Sequence, residues 1–199
     1  MWLTQKALAS LGLHAIGHDV RIDDTVEIAR PDSVVIGSHV RIDAGCSLVS
    51  GPEPITIGSY VHLSSRVRVS AGTASVHIED FAGLAPRVSV FTTSDDYSDG
   101  SLTNPTVPPD LRDAVSQPVR IMKHAIVGAH SVILPGVTLG TGSSVGALTL
   151  VHRDVADGHI VVGTPMRHIG DRNIERLHAL EEEVRRRERE SRQSKGMDQ

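Results

Sequence analysis

The sequence predicts an all-β fold, a parallel β-helix whose coils are each built from three hexapeptides. Three observations predict it. Aliphatic residues recur at a strict spacing of six, in six groups of three: Ile16, Ile22, Ile28; Ile36, Ile42, Leu48; Ile57, Leu63, Val69; Ile78, Leu84, Val90; Ile121, Val127, Ile133; Leu139, Val145, Val151. Aromatic content is 3% against 39% hydrophobic, so the core must be assembled from small, equal aliphatic layers. Small or β-branched residues stand two positions before many of these anchors, among them Val20, Val61, Val67, Ala82, Val88, Ala125, Ser131, Ser143 and Thr149.

A helix needs a period of 3.6 and a coiled coil 3.5, so a period of six is neither. It fits a triangular coil in which each hexapeptide is a short strand and a corner. The anchor then points inward and its neighbours outward, because side chains alternate along a strand. Coils stack about 4.8 Å apart, which makes six of them a prism about 29 Å tall. Glycines directly after anchors (Gly17, Gly37, Gly58, Gly128, Gly140, Gly146) fit either tight corners or a surface that a ligand approaches closely. The glycines of the 136–146 stretch keep the hexapeptide phase and no helical pattern follows, which argues against a dinucleotide-binding loop.

Three segments leave the repeat. Residues 1–12, with Trp2, Leu3, Ala7, Leu8 and Leu11, read as a short amphipathic helix that caps the open end of the prism. Residues 91–118 form a long loop with Pro105, Pro108 and Pro109; loops of that length inside a domain usually serve function or are disordered. In 171–199, Glu181–Glu183 precede Arg185–Arg187 at i,i+4 spacing, which supports a charged helix. Leu177, Leu180 and Val184 give that helix a thin docking stripe, and its end is expected to fray after about Arg192. The expected organisation is therefore one β-helix domain over 1–170, then a charged helix and tail over 171–199.

Composition narrows the function classes. A net charge of −4 argues against a general nucleic-acid binder. The one cysteine, Cys46, excludes an intramolecular disulfide. No apolar run approaches the roughly 20 residues of a membrane span, and no secretory leader pattern opens the chain. A cytoplasmic location is the expectation.

The phase assigns residues to outer faces. On the second face, above His62, the outward residues Gly83, Ala85, Gly128, Ser144 and Gly146 are small and only Ile126 is bulky. A column of small residues makes a shallow groove suited to an extended, thin ligand such as a pantetheine arm. On the third face Phe91, Val132, Leu134 and Leu150 form an apolar patch, which marks an interface and, for a prism with one such face, a closed homotrimer.

The segments 126–137 (IVGAHSVILPGV), 145–147 (VGA) and 162–167 (VGTPMR) resemble the hexapeptide-repeat acyltransferase superfamily, whose fold is the left-handed parallel β-helix. The resemblance covers roughly residues 1–170. It implies a CoA-dependent acyltransferase with acetyl-CoA as acyl donor and no metal requirement. The loop, with Ser94-Asp95-Asp96-Tyr97-Ser98 and 102–108 (LTNPTVP), resembles a subgroup of sugar O- and N-acetyltransferases, some acting on nucleotide-linked amino sugars such as a 4-amino-4,6-dideoxyglucose. By the same resemblance Ala129 and Ala147 match backbone positions along the pantetheine. His152 and Arg153 match a Thr-Lys pair near the nucleotide end, and Arg167 matches a basic residue for CoA phosphates. Guanidinium suits that last task because its fork pairs with phosphate oxygens.

A hydroxyl acceptor needs a general base, most often His. Many relatives of this fold carry it in the extended loop, where this chain has Asp95 and no histidine between 91 and 118. His62, at the foot of the small-residue groove, is the replacement, with Asp43 one coil below to orient it. Asp95 and Asp96 are the alternatives, as base or as a site for an acceptor amine. Two rival readings remain at this stage. One is a metal enzyme of the γ-class carbonic anhydrase type, which eleven histidines invite, although His124 and His130 are six apart where that class has a pair five apart. The other is a non-catalytic scaffold, since a fold alone implies no activity.

Overall fold

The computed structural model describes residues 1–98 and 100–197. The chain winds as the expected left-handed parallel β-helix. Its faces are three parallel sheets of six, eight and six strands, apart from one antiparallel strand that ends the second. Register follows the hexapeptides: Arg41 pairs with His62, His62 with Gly83, Gly83 with Ile126, and Ile126 with Ser144 up the second face. Sixteen of the eighteen anchors are buried. The other two lie in the first coil, where Ile28 is partly buried and Ile16 is 36% exposed. The reason is that no coil lies beneath them to complete their layer.

That end is covered by less helix than the sequence suggested. Helix α1 spans only Gln5–Ala9, with the Thr4 hydroxyl accepting from the Ala7 N–H as its cap. Trp2 instead bridges to Asp23, and the terminal ammonium pairs with Asp23 and Asp24 at 3.0 and 2.8 Å. At the other end the β-helix continues into a partial seventh coil. Val155 pairs with Leu139 on the first face, and the strand His159–Val162 pairs with the sixth coil on the second. The chain then reverses at Gly163 and returns antiparallel as Arg167–Asp171. Val155 and Val161 are buried and six apart, so the repeat persists one unit beyond the eighteen anchors. The extended loop is a two-stranded antiparallel arm, Thr93–Asp95 against Ala114–Ser116.

Glycine crowding separates architecture from open surface. A Cβ on Gly128 would stand 2.4 Å from the Ala147 nitrogen, and one on Gly37 would stand 2.7 Å from the Gly58 carbonyl. These glycines are required by the neighbouring coil. Gly83 differs: a Cβ there would meet nothing within 4 Å.

One corner carries a ladder that the anchor pattern does not reveal. Between the first and second faces, Asp19, His39, Tyr60, Phe81, His124, Gly142 and Gly158 all take left-handed backbone conformations, with φ between 53° and 70°. Only glycine adopts this without cost. The cost is offset by stacking: His39 lies on Tyr60 at 4.6 Å, Tyr60 on Phe81 at 4.7 Å, and Phe81 on His124 at 5.1 Å. Those separations match the spacing of adjacent strands.

Helix α2, Ile174–Met197, lies along this corner and runs past the expected limit near Arg192. Its docking face is also more polar than expected. Leu180 is exposed, and Glu181 is buried in its place. Glu181 bonds Lys123 Nζ at 3.0 Å, His124 Nε2 at 2.8 Å and Arg185 Nε at 2.8 Å, while Arg185 also reaches Asp80 at 3.2 Å. Burial alone would raise the Glu181 carboxyl, but these three donors outweigh it and hold the pKa at about 2. A depressed folded-state value gives stability that is present above the unfolded value near 4.5 and is lost as pH falls toward 2. Acid titration of the wild type therefore loosens α2 over that window, worth on the order of 2 kcal/mol. Glu181→Gln removes this pH dependence, read by urea unfolding at pH 7 and pH 3.

Candidate active site

The second face presents the groove that the phase implied. A cavity of about 280 Å³ is lined by His62, Ser64, Gly83, Ala85, Pro86 and Ile126. His62 sits at its foot in the strand His62–Leu63, whose Leu63 is fully buried and fixes the histidine outward. Its Nε2 lies 2.8 Å from Asp43 Oδ2. The other carboxylate oxygen of Asp43 accepts from Arg41 Nε at 2.7 Å. Burial opposes ionisation of Asp43, yet the hydrogen bonds from Arg41 and His62 prevail and hold its carboxyl below the usual range. An ionised carboxylate only accepts, so the contact assigns a proton to His62 Nε2 and leaves the lone pair of a neutral ring on Nδ1. This is the arrangement of a general base with its orienting acid.

Above His62 the floor of the groove is Gly83, where no protein atom occupies the space a side chain would take. The adjoining corner rises through Ala129 and Ala147, one coil apart, with the Leu148 N–H donating to the Ala129 carbonyl at 2.9 Å. It ends at Gly163 and Thr164, which are tied to the sixth coil. Gly163 N–H donates to Thr149 Oγ1 at 2.9 Å, and Leu150 N–H donates to Thr164 Oγ1 at 3.3 Å. Arg167, exposed, opens the returning strand opposite Val162. Ala129, Ala147 and Arg167 therefore follow one path up the corner from the groove. His152 and Arg153 do not join them. They follow the third-face strand Leu150–Val151 and stand exposed at the far corner of that face.

The loop carboxylates have separate surroundings. Asp95 accepts from the Asn104 N–H at 3.1 Å and lies 3.6 Å from Arg112 Nη1. Asp96 closes a turn, accepting from the Ser98 hydroxyl at 2.6 Å and its N–H at 2.8 Å. Those bonds hold the Asp96 carboxyl below its ordinary range. Neither residue lines the groove at His62. A larger cavity, about 570 Å³, opens on the first face between His77, Glu79, Asp80, Arg120, Met122 and Lys123. Several of its polar groups already serve the α2 docking, for Lys123 and Asp80 pair with Glu181 and Arg185.

What sequence reasoning missed here is Arg41 as the second anchor of Asp43. The signal was present, because Arg41 and Asp43 are both outward on one short strand, two apart. As for three imidazoles on one metal, His124 is buried against Glu181 and His130 lies on a different corner. Among the described residues no three-histidine cluster forms.

A coil of three hexapeptides per turn, with a histidine–carboxylate pair below an open groove, defines the class: a CoA-dependent acyltransferase of the left-handed β-helix type. The chain is 33% identical over 172 residues to dTDP-4-amino-4,6-dideoxy-D-glucose acyltransferase of Escherichia coli, spanning 86% of this chain and 89% of that one. It is 34% identical to a variant of AntD, an N-acyltransferase from Bacillus cereus, in complex with dTDP-4-amino-4,6-dideoxyglucose and coenzyme A; the match has a TM-score of 0.87 over 92% of this chain and 97% of that one. AntD in complex with dTDP and 3-hydroxybutyryl-CoA gives a TM-score of 0.88 at 33% identity, over 94% and 98% of the two chains. No protein-family model matches the chain. The chain belongs to the family of dTDP-4-amino-4,6-dideoxyglucose acyltransferases. It is an enzyme that transfers an acyl group from acyl-CoA to a sugar acceptor, and the scaffold and carbonic-anhydrase readings fall away.

Proposed function

We propose that the enzyme acylates the amine of dTDP-4-amino-4,6-dideoxyglucose or a close nucleotide-linked amino sugar, with acetyl-CoA as donor. The observation that carries this reading is the His62–Asp43 pair at the foot of a groove left open at Gly83, in a chain matched over nearly its whole length by an N-acyltransferase in complex with that sugar nucleotide. Ala129 and Ala147 flank the pantetheine and Arg167 meets the CoA phosphates. The amine lone pair attacks the thioester carbonyl, and His62 Nδ1 takes the proton the nitrogen must lose. The tetrahedral adduct collapses, the C–S bond breaks, and the thiolate receives that proton to leave as free CoA. Asp95, beside Arg112 in the arm, is an acceptor-binding residue in this reading; Asp96 acts on the turn rather than as base. Incubation with acetyl-CoA and dTDP-4-amino-4,6-dideoxyglucose should release thiol in step with sugar amide. Thiol release with no acylated sugar, or none at all with any acyl-CoA, refutes the reading.

The working form we propose is a homotrimer. Phe91, Val132, Leu134 and Leu150 stay half-buried on the third face, and Leu148 beside them is 71% exposed. His152 and Arg153, at the far corner of that face, contribute to CoA binding when the donor lies in a cleft between two chains. Sedimentation should give three times the 21.3 kDa chain mass; a monomer would remove both the cleft and the role of His152 and Arg153.

We place the enzyme in the cytoplasm. Cys46 is a free, buried thiol that burial pushes up to about 11, and reducing compartments keep such thiols free. Among the described residues no helix is long and apolar enough to cross a membrane. Cell fractionation checks the assignment.

A further inference from the structure

We propose that His18, Asp19 and His39 form a binding site for a divalent transition metal of the Zn²⁺ class, at the foot of the corner ladder and separate from the acyl-transfer groove. His39 is the centre of the cluster. Its Nδ1 lies 3.3 Å from Asp19 Oδ2, and its Nε2 lies 2.9 Å from Glu188 Oε1. A neutral imidazole has one N–H and one lone pair. Between two carboxylates a neutral ring can place a proton in only one of the two contacts, so the other is completed by a second proton or by a bound cation.

On the Glu188 side, Nε2 is buried 2.9 Å from the carboxylate but is not aligned for a hydrogen bond. At 3.3 Å, the Nδ1···Oδ2 separation is long for a charge-assisted hydrogen bond. It equals the ligand–ligand edge of a tetrahedral zinc site, since metal–ligand bonds of about 2.0–2.1 Å set such edges at roughly 3.3–3.4 Å. His18 supplies the third ligand. Its ring meets His39 edge-on at 4.8 Å between centroids, and one ligand atom from each of the three residues lies within 4.8 Å of the others.

The surroundings supply the outer support that metal-bound imidazoles characteristically have. Glu188 Oε1 stands 2.9 Å from the far nitrogen of His39, and Ser38 Oγ sits 2.8 Å from His18 Nδ1. The ring of His39 is fixed by stacking on Tyr60 at 4.6 Å. The ligands are reached through a cavity of about 500 Å³ bounded by His18, Asp19, His39, Val184, Arg187 and Glu188. Its arginine is not a free cation, because Arg187 pairs with Glu183 at 2.7 Å. With Asp19 as ligand and Glu188 behind His39, a dication meets two negative charges, and a water completes four-fold coordination. Because Glu188 belongs to α2, an ion on His39 also ties the far part of that helix to the first two coils.

The test uses the full chain without a histidine tag, stripped with a chelator. Zn²⁺ titration by calorimetry should show a saturable site that is weakened at least tenfold by His18→Ala and by Asp19→Asn. It should be unchanged by His159→Ala, which breaks the other group of possible ligands, His159, His168 and Asp171. Co²⁺ should give the intense visible absorption of tetrahedral coordination, lost in the same two variants. The Tm of wild type should rise with the logarithm of free Zn²⁺, while both variants, folded by circular dichroism, should show no rise. Absence of Zn²⁺ binding, or binding abolished by His159→Ala and retained in His18→Ala, overturns the proposal. Acyl transfer serves as the control, since no ligand of this site lines the groove at His62.

Discussion

We expect His62→Asn to lower kcat by roughly 10²-fold or more, the ordinary contribution of a positioned general base. It leaves the Tm close to wild type, because the side chain is exposed on the second face and its removal opens no cavity. Asp43→Asn reports on the same centre by another route. An amide can donate to His62 Nε2 where the carboxylate only accepts, so it permits the tautomer with its lone pair toward residue 43. We expect kcat to fall by about tenfold or more with KM for acetyl-CoA unchanged, since Asp43 does not line the groove. Full turnover in His62→Asn, with the amide product verified, would remove the histidine from the chemistry and turn attention to Asp95.

Gly83→Val produces the second large effect, and it separates site from scaffold. At most glycines on this face a side chain collides with the neighbouring coil, so a substitution confounds folding with function. At Gly83 the space is open and the backbone needs no left-handed conformation. A valine there has high strand propensity and projects into the groove between His62 and Ile126. We expect unchanged or slightly raised thermal stability with a loss of turnover of two orders of magnitude or more, because a misplacement of about 1 Å at the reacting centre costs roughly 10²-fold. Kinetics with acetyl-CoA beside thermal unfolding of the same preparation make the comparison.

Most of the fold was legible because one physical constraint repeats. Inward side chains of stacked coils must fill equal layers, so the pattern names its own core, down to Leu63, Leu84 and Val127. Legibility failed where a residue's role depends on a neighbour distant in sequence. The corner ladder is an instance: His39, Tyr60 and Phe81 are 21 apart, a spacing of one coil plus its insertion, but nothing in a hexapeptide says that a corner stacks. Glu181 reads as one more charge in an acidic run until His124 and Lys123 are brought beneath it. Val155 and Val161 are six apart, but Val155 follows Val151 by only four, and that break in phase together with the reversal at Gly163 hides them from a search for groups of three.

The geometry of the candidate site was legible to a similar depth. The phase placed His62 outward and Asp43 one coil below it; the register sets Arg41 directly opposite His62, and Asp43, diagonal to it, makes the 2.8 Å contact. The phase could not rank the glycines, since Gly83 and Gly128 look alike in sequence. Only the first faces open space; the second is pressed against Ala147. Asp95 and Asp96 were equivalent as adjacent carboxylates, and the turn at Ser98 distinguishes them.

A crystal structure with CoA and dTDP bound tests the central claim most directly. We expect the pantetheine arm to run along the second face past Ala147 and Ala129, with its sulfur over Gly83 and within reach of His62. A thiol found instead in the larger first-face cavity beside Arg120 and Met122 would contradict it, and with it the role of the His62–Asp43 pair.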